Sequence, residues 1–286
     1  MVSDAADDLP APVRILTVQR FGERARDDHV AVETPVALVF NGISHAVMMA
    51  SPADLEAFAL GFAVSEGLLT SPAECFGIAL KVSAEGVEAH LHVAASADAR
   101  LKETRRNLVG RTGCGLCGID SLRALDLRPG HIAASVRPTA AAVLKAFADL
   151  PSRQPLNTLT GAHHAAGWAT LDGELLQVME DVGRHNALDK LLGQRLLNKQ
   201  RFDDGFVVMS SRASYELVLK CARMGVPTLA TISAPTSLAV EIARQAGMGL
   251  FGFCRGETAV SYTGDQSSPS SSNRARTHAN SSGSAS

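Results

Sequence analysis

Two cysteines, Cys114 and Cys117, stand three positions apart in the octapeptide 111–118, which reads Arg-Thr-Gly-Cys-Gly-Leu-Cys-Gly. Glycine has no side chain that could bury a thiol, and its backbone reaches conformations closed to other residues. We therefore expect both sulfurs to lie on an accessible, mobile loop. A CxxC pair serves as half of a zinc site, as a dithiol redox centre, or as a nucleophile that carries sulfur as a persulfide.

The zinc and redox uses lack residues that they need. A structural zinc ion needs two further ligands, normally a second CxxC or a spaced histidine pair, but the other three cysteines are isolated and the only close histidines are the adjacent His163 and His164. A deaminase-type catalytic zinc needs His-x-Glu and Pro-Cys-x-x-Cys, whereas Gly113 precedes Cys114 and no histidine is followed two residues later by Glu. A thioredoxin-like pair follows a buried strand and opens a helix, and neither pattern surrounds this pair. We expect no zinc.

The sulfur-carrier use asks for a thiol of low pKa, solvent access and reach, because the thiolate is the attacking nucleophile. Arg105, Arg106 and Arg111 supply positive charge near the pair, and the glycines supply reach. A second thiol three residues away can relay or protect the sulfur, as a resolving cysteine does. The residues therefore favour Cys114 and Cys117 as the reactive pair. The alternative for the three arginines is an ordinary solvated surface.

The composition excludes several classes of protein. The 286 residues are 46% hydrophobic and 20% charged, with a formal net charge of −2, so the chain can bury one large core or two modest ones. Near-neutral charge argues against a nucleic-acid partner. No apolar run approaches the ~20 residues that span a bilayer, and the first ten residues are acidic rather than a basic leader. We expect a cytoplasmic protein with no membrane partner, in which Cys75 and Cys221 are small core residues.

The pattern along the chain predicts two folded units. Residues 1–12 and 264–286 have too few apolar side chains to fold and are predicted to be disordered tails. Between them we predict a small α+β unit at 13–95, a connector with the CxxC loop at 96–137, and a larger unit at 138–263. Strands and helices alternate in the larger unit, which is typical of βαβ crossovers.

Three polar segments occur where a predicted strand ends and a helix begins. They are residues 180–190, 210–214 and 233–237. In the first, Arg184 and His185 could meet a polar heterocycle or a pyrophosphate. In the second, Ser211 and Arg212 precede a helix whose free N–H groups could bind phosphate. The alternative is structural, namely helix capping and an internal salt bridge.

Five motifs follow one another along the chain. They are 112–118 (TGCGLCG), 161–166 (GAHHAA), 180–190 (EDVGRHNALDK), 210–214 (SSRAS) and 233–237 (SAPTS). Together they resemble the FdhD family of formate dehydrogenase accessory sulfurtransferases over about residues 13–263. The resemblance implies that sulfur is accepted from a cysteine desulfurase as a persulfide. It then passes to the molybdenum cofactor, in its bis-molybdopterin guanine dinucleotide form, before formate dehydrogenase receives that cofactor.

The resemblance also implies a fold and a site. The fold class is α/β (α+β overall), with a cytidine-deaminase-like α/β/α larger domain beside the small α+β domain and its CxxC loop. The persulfide-carrying cysteine falls on Cys114 and the second thiol on Cys117. The family's cofactor contact near the C-terminus falls on Phe251, Gly252, Phe253, Cys254, Arg255 and Gly256.

The partners implied by the resemblance are a cysteine desulfurase, formate dehydrogenase and a second copy of the chain as a homodimer. GDP would mimic half of the dinucleotide cofactor. Two other functions stay open at this point. One is a chaperone that binds the molybdenum cofactor without carrying sulfur. The other is an interaction domain stabilised by zinc, which metal analysis would detect.

Overall fold

The structure is a computed structural model that describes residues 9–19, 21–106, 129–132 and 136–263, without the side chains of 102–106. Cys114 and Cys117 lie outside the described residues, as do 1–8 and 264–286 of the predicted tails. Within the described part of the chain, no helix is long and apolar enough to cross a membrane.

The first half contains a hairpin, a four-stranded sheet and two helices. In chain order they are β1 (Val13–Gln19), β2 (Ala25–Ala31), β3 (Thr34–Phe40), β4 (Ile43–Ala50), α1 (Leu55–Ser65), β5 (Cys75–Ser83), β6 (Gly86–Val93) and α2 (Ala95–Arg106). The sheet order is β4-β3-β6-β5, in which β3 and β6 are parallel and the other pairs antiparallel. Alternate residues such as Val36 and Leu38 face α1 and form one core with it.

Helix α2 covers the start of the stretch 96–137, which we predicted to be a connector that belongs to neither folded unit. Ala97 and Leu101, four residues apart on one helix face, are buried in the core of the first half. Arg100 donates to both carboxylate oxygens of Glu74 at 2.7 and 2.8 Å. These hydrogen bonds, with one from the backbone of Thr70, lower the pKa of Glu74 to about 2. Because α2 is mostly polar, the sequence did not indicate that Ala97 and Leu101 are buried.

The second half is a six-stranded sheet with helices on both faces. Its elements are α3 (Ala140–Asp149), α4 (Pro155–Thr160), β7 (His164–Thr170), β8 (Leu175–Asp181), α5 (Arg184–Leu197), β9 (Gly205–Met209), α6 (Tyr215–Arg223), β10 (Thr228–Thr231), α7 (Ser237–Ala246), β11 (Gly249–Arg255) and β12 (Thr258–Thr263). The order is β12-β11-β10-β9-β7-β8, and β9, β10 and β11 are parallel. Helices α6 and α7 make the predicted βαβ crossovers.

Neighbouring residues of the central strands face opposite layers. Val207 packs with α5, α6 and α7, whereas Val208 packs with α3 on the other face of the sheet. Cys221 is fully buried in the first of these layers, as expected, and Cys75 is only half-buried beside the core of the first half. The second half is thus an α/β/α sandwich. The finer likeness to the cytidine-deaminase fold, and the domain boundaries, stay predictions.

The two halves meet where α1 crosses α5, and a glycine of each helix lies at the crossing. A Cβ atom on Gly61 would overlap the backbone oxygen of Asp189, and one on Gly193 would overlap that of Ala57. The backbones of the two helices can approach this closely because neither glycine has a side chain.

We expect a Gly193→Ala variant to unfold at lower urea concentration, with its free energy of unfolding reduced by about 1–3 kcal/mol through overpacking. The added methyl group would force α1 and α5 apart, and the alanine's better helix propensity would not compensate. Urea unfolding followed by circular dichroism measures the change. Gly77→Ala is the matched control, because a Cβ there meets open space. Equal unfolding midpoints for both variants would contradict the close crossing.

Candidate functional site

One edge of the six-stranded sheet gathers the polar segments. Strands β8, β9, β10 and β11 run in the same direction, so their carboxyl ends lie at this edge, and α5, α6 and α7 begin just beyond it. Strand β7 runs the opposite way, and its first residue, His164, pairs there with Asp181. The three segments 180–190, 210–214 and 233–237 therefore come together, although 42 residues lie between the first and the third in the sequence.

Hydrogen bonds join the loops of this edge from strand to strand. Ser210 Oγ accepts from the backbone N–H of Ala165 at 2.8 Å, which ties the loop after β9 to β7. The backbone N–H of Thr236 donates to Ala213 O at 3.0 Å, which ties the loop after β10 to the loop after β9. The edge is consequently one connected surface. Such an edge, where strands end and helices begin, is where open α/β sheets bind ligands.

Two basic residues open α5 at this edge. Arg184 and His185 are its first residues, and Gly183, which precedes them, has no side chain to cap the helix. Arg184 Nε is buried and has no hydrogen-bonding partner among the described residues. Burial lowers the pKa of the neighbouring His164, and the charge of Arg184 lowers it further. His164 is therefore neutral at neutral pH, and Arg184 retains donors for a ligand with negative charge.

An acidic residue faces these groups from α6. Glu216 lies in the first turn of α6, with its Oε2 atom 3.9 Å from His185 Nε2. Burial opposes ionisation of Glu216, but the His185 ring, the residue's own backbone N–H and Ser214 together lower its pKa to about 2. Glu216 is thus a carboxylate throughout the physiological range. The start of α6 also has a negative charge, which the helix dipole favours.

Other residues of segment 180–190 connect the two halves of the chain. The Lys190 ammonium and the Asp181 carboxylate are fully buried and lie 2.7 Å apart. Asp181 also accepts from the backbone N–H groups of Ser51 and Gly183 and from Asn186 Nδ2. Lys190 donates to Ser51 O at 3.0 Å. The internal salt bridge of the structural alternative is therefore correct for Asp181 and Lys190, whereas Arg184 and His185 belong to the sheet edge.

A second buried ionic cluster joins the halves beside the first. Lys220 Nζ lies 2.7 Å from a carboxylate oxygen of Glu66 and 2.9 Å from Asp189, and it donates to Ser65 Oγ at 2.9 Å. Burial opposes the charge of Lys220, but Asp189 and Glu66 raise the pKa of its ammonium group. Each half of the chain thus supplies polar partners to charged groups buried in the other.

The chain matches the model of the FdhD/NarQ family over residues 31–268. The chain belongs to the FdhD/NarQ family. It is 57% identical to the sulfur carrier protein FdhD of Chromobacterium violaceum over 239 residues, which cover 82% of this chain and 88% of that protein. It is 50% identical to the sulfur carrier protein FdhD of Burkholderia cenocepacia, over 91% of this chain and 97% of that protein.

The fold is similar to that of a crystal structure from Desulfotalea psychrophila, described as a candidate formate dehydrogenase accessory protein. The TM-score is 0.69 at 27% sequence identity, and the match covers 88% of this chain and 96% of the other.

In this member of the FdhD/NarQ family, strand β11 brings part of the predicted cofactor segment to the edge. Phe253 has a left-handed backbone with φ 53°, which is rare for a bulky residue, and its N–H donates to Ser233 O at 3.2 Å. Gly252 packs against Pro235 and Tyr262 with no room for a Cβ atom. Phe251 is half-buried, with its carbonyl oxygen accepting a bond from Thr231 Oγ1.

The remaining predicted residues divide into exposed and buried ones. Arg255, Gly256 and Arg212 are exposed, and Ser211 is buried with its hydroxyl donating to Arg212 O at 3.1 Å. Cys254 is placed differently from what a ligand contact needs, because its side chain is fully buried in the α3 layer. Burial raises the pKa of this thiol to about 12. Only the backbone of Cys254 remains available to a ligand.

Sequence reasoning about this FdhD/NarQ protein missed Glu216 and Ser51. Glu216 follows the predicted helix start at Ser214 by two residues, so an acidic residue in a first helical turn was a signal that could have identified it. Ser51 had no such signal, because its partners Asp181 and Lys190 lie far along the chain.

Proposed function

We propose that this chain is a sulfur carrier that accepts persulfide sulfur from a cysteine desulfurase on Cys114. It passes this sulfur to bis-molybdopterin guanine dinucleotide before formate dehydrogenase receives the cofactor. The observation that carries the proposal is the convergence of Arg184, His185 and the starts of α5 and α6 at one sheet edge. The names of the relatives, which are sulfur carrier proteins, also support the proposal.

The loading step is a thiol exchange at sulfur. The Cys114 thiolate attacks the outer sulfur of the donor's cysteine persulfide, a new S–S bond forms, and the donor cysteine leaves as its thiolate. Cys117 is the second thiol, which can accept or protect the sulfur after loading. This step is supported by the CxxC motif and by relatives that are named sulfur carriers.

The cargo would be held by its nucleotide ends at the sheet edge. Free N–H groups at the first turn of α5 favour a pyrophosphate, and the Arg184 guanidinium can donate to it. Phe253, half-buried at the end of β11, offers a ring against which a guanine base can stack. We further propose, from the resemblance, that the working protein is a homodimer.

Two measurements on the full chain test the proposal. After incubation with a cysteine desulfurase and cysteine, mass spectrometry should find one added sulfur atom on the peptide that contains Cys114 and Cys117. Isothermal titration should detect binding of GDP. A protein that binds GDP but never gains sulfur would be a cofactor chaperone instead, and a protein that does neither would contradict both parts of the proposal.

We expect an Arg184→Ala variant to bind GDP at least about tenfold more weakly, since a hydrogen bond to a charged group contributes roughly 1.5–3 kcal/mol. The variant should still gain sulfur on the CxxC peptide, because loading needs only the thiolate. Titration calorimetry measures the affinity. Arg14→Ala, an exposed arginine of the β1–β2 hairpin, is the matched control and should bind GDP normally. Equal affinities in both variants would place the nucleotide elsewhere.

A further inference from the structure

The starts of α5 and α6 differ from that of the next helix along the sheet edge. At the start of α7, the Thr236 hydroxyl accepts a hydrogen bond from the Ala239 N–H, which caps the helix. Gly183 before α5 has no side chain, and Ser214 before α6 makes no capping hydrogen bond. The first-turn N–H groups of α5 are therefore the ones that a further anion could satisfy, whereas at the start of α6 the Glu216 carboxylate already contacts its own backbone N–H.

Glu216 already supplies a negative charge at this place. Its side chain and that of His185 are each 22% exposed, so solvent screens the pair only in part. The 3.9 Å between His185 Nε2 and Glu216 Oε2 is longer than a hydrogen bond. The carboxylate thus places a negative charge beside the first turn of α5, where it repels a phosphate.

We propose that Glu216 is an internal counter-charge that competes with the ligand's phosphate groups and so sets how strongly this edge prefers highly charged nucleotides. The inference rests on the proposed nucleotide site at this edge. A carrier must release its cargo to the next protein. A carboxylate that remains beside His185 lowers the affinity for the pyrophosphate and offers the basic groups an anion once the cargo leaves.

The test compares guanosine, GMP and GDP as ligands of the wild type and of a Glu216→Gln variant. Glutamine keeps the size and hydrogen-bonding capacity of the side chain and removes its charge. We expect GDP to bind the variant about fivefold more tightly, because a partly exposed charge interaction is worth roughly 1 kcal/mol. The affinity for GMP should increase by a smaller factor, and guanosine should bind both proteins equally. Glu241→Gln, an exposed residue of α7, is the matched control and should change none of the three affinities.

The outcomes separate this inference from the proposed function. If the wild type binds none of the three ligands, the nucleotide site itself is wrong, and the inference falls with it. If the wild type binds GDP and Glu216→Gln leaves the ratio of GDP to guanosine affinity unchanged, the counter-charge role is wrong and the proposed function stands. An equal weakening of guanosine and GDP in Glu216→Gln would show a structural role and would also overturn the inference. High salt should narrow the difference between variant and wild type if the effect is electrostatic.

Discussion

We expect a Cys114→Ala variant to leave formate dehydrogenase inactive while it binds GDP as tightly as the wild type. Without the Cys114 sulfur there is no atom on which the proposed persulfide can form, so the loss of sulfur delivery should be complete. The nucleotide contacts proposed above come from α5 and β11, which are separate in the sequence from the CxxC motif. Formate dehydrogenase activity in cells that lack the endogenous carrier measures delivery, and titration calorimetry measures binding.

Two further cysteine variants complete this experiment. Cys75→Ala removes a half-buried thiol of β5 and should support full formate dehydrogenase activity. Cys117→Ala tests whether the second thiol is needed for loading or only for onward transfer, because mass spectrometry of its CxxC peptide distinguishes the two. Active formate dehydrogenase with Cys114→Ala, or a loss of GDP binding in that variant, would contradict the assignment of Cys114 as the carrier.

The Lys190→Ala variant should have the largest effect on stability. Lys190 and Asp181 are both fully buried, so removing the ammonium leaves a carboxylate without its counter-ion and Ser51 O without its donor. Breaking a buried ion pair on one side lowers the free energy of unfolding by about 3–5 kcal/mol. Three remaining donors to Asp181, from Ser51, Gly183 and Asn186, place the expected loss toward the lower end.

Urea unfolding at neutral pH measures this loss, with Lys145→Ala as the matched control. Lys145 is exposed on α3 and makes a single long contact of 3.4 Å to Asp172 O, so its removal should change the free energy of unfolding by at most about 0.5 kcal/mol. Equal losses in the two variants would mean that the Asp181–Lys190 pair contributes nothing beyond an ordinary surface lysine.

The second half of the fold could be predicted because its strands and helices alternate with clear boundaries. Strand β9 ends at Met209, directly before segment 210–214, and helix α6 begins at Tyr215, directly after it, as that segment predicted. Helix α2 could not be predicted in this way, since of its described side chains, those of 95–101, only Ala97 and Leu101 are buried. The β1–β2 hairpin was also missed, because β2 reads Ala-Arg-Asp-Asp-His-Val-Ala and lacks an alternating apolar face.

The site could be predicted to the level of segments but not of side chains. Polar residues at successive strand ends indicated one binding edge, since parallel strands end together. The sequence could not show which residues of 180–190 form the buried ion pair and which lie at the sheet edge. Ser51, which binds Asp181 and Lys190, is about 130 residues away. The burial of the Cys254 side chain could not be predicted either, because β11 is irregular between Gly252 and Arg255 and simple alternation does not give the direction of that side chain.

The shared ionic clusters make each half of the chain an incomplete fragment. A polypeptide that ended before residue 138 would contain Glu66 without Lys220, and Ser51 without Asp181 and Lys190. A polypeptide that began there would expose those charged groups together with the α5 surface that α1 covers. Truncation between the halves should therefore yield no independently stable piece, and the segment that carries Cys114 and Cys117 joins two parts of a single cooperative folding unit.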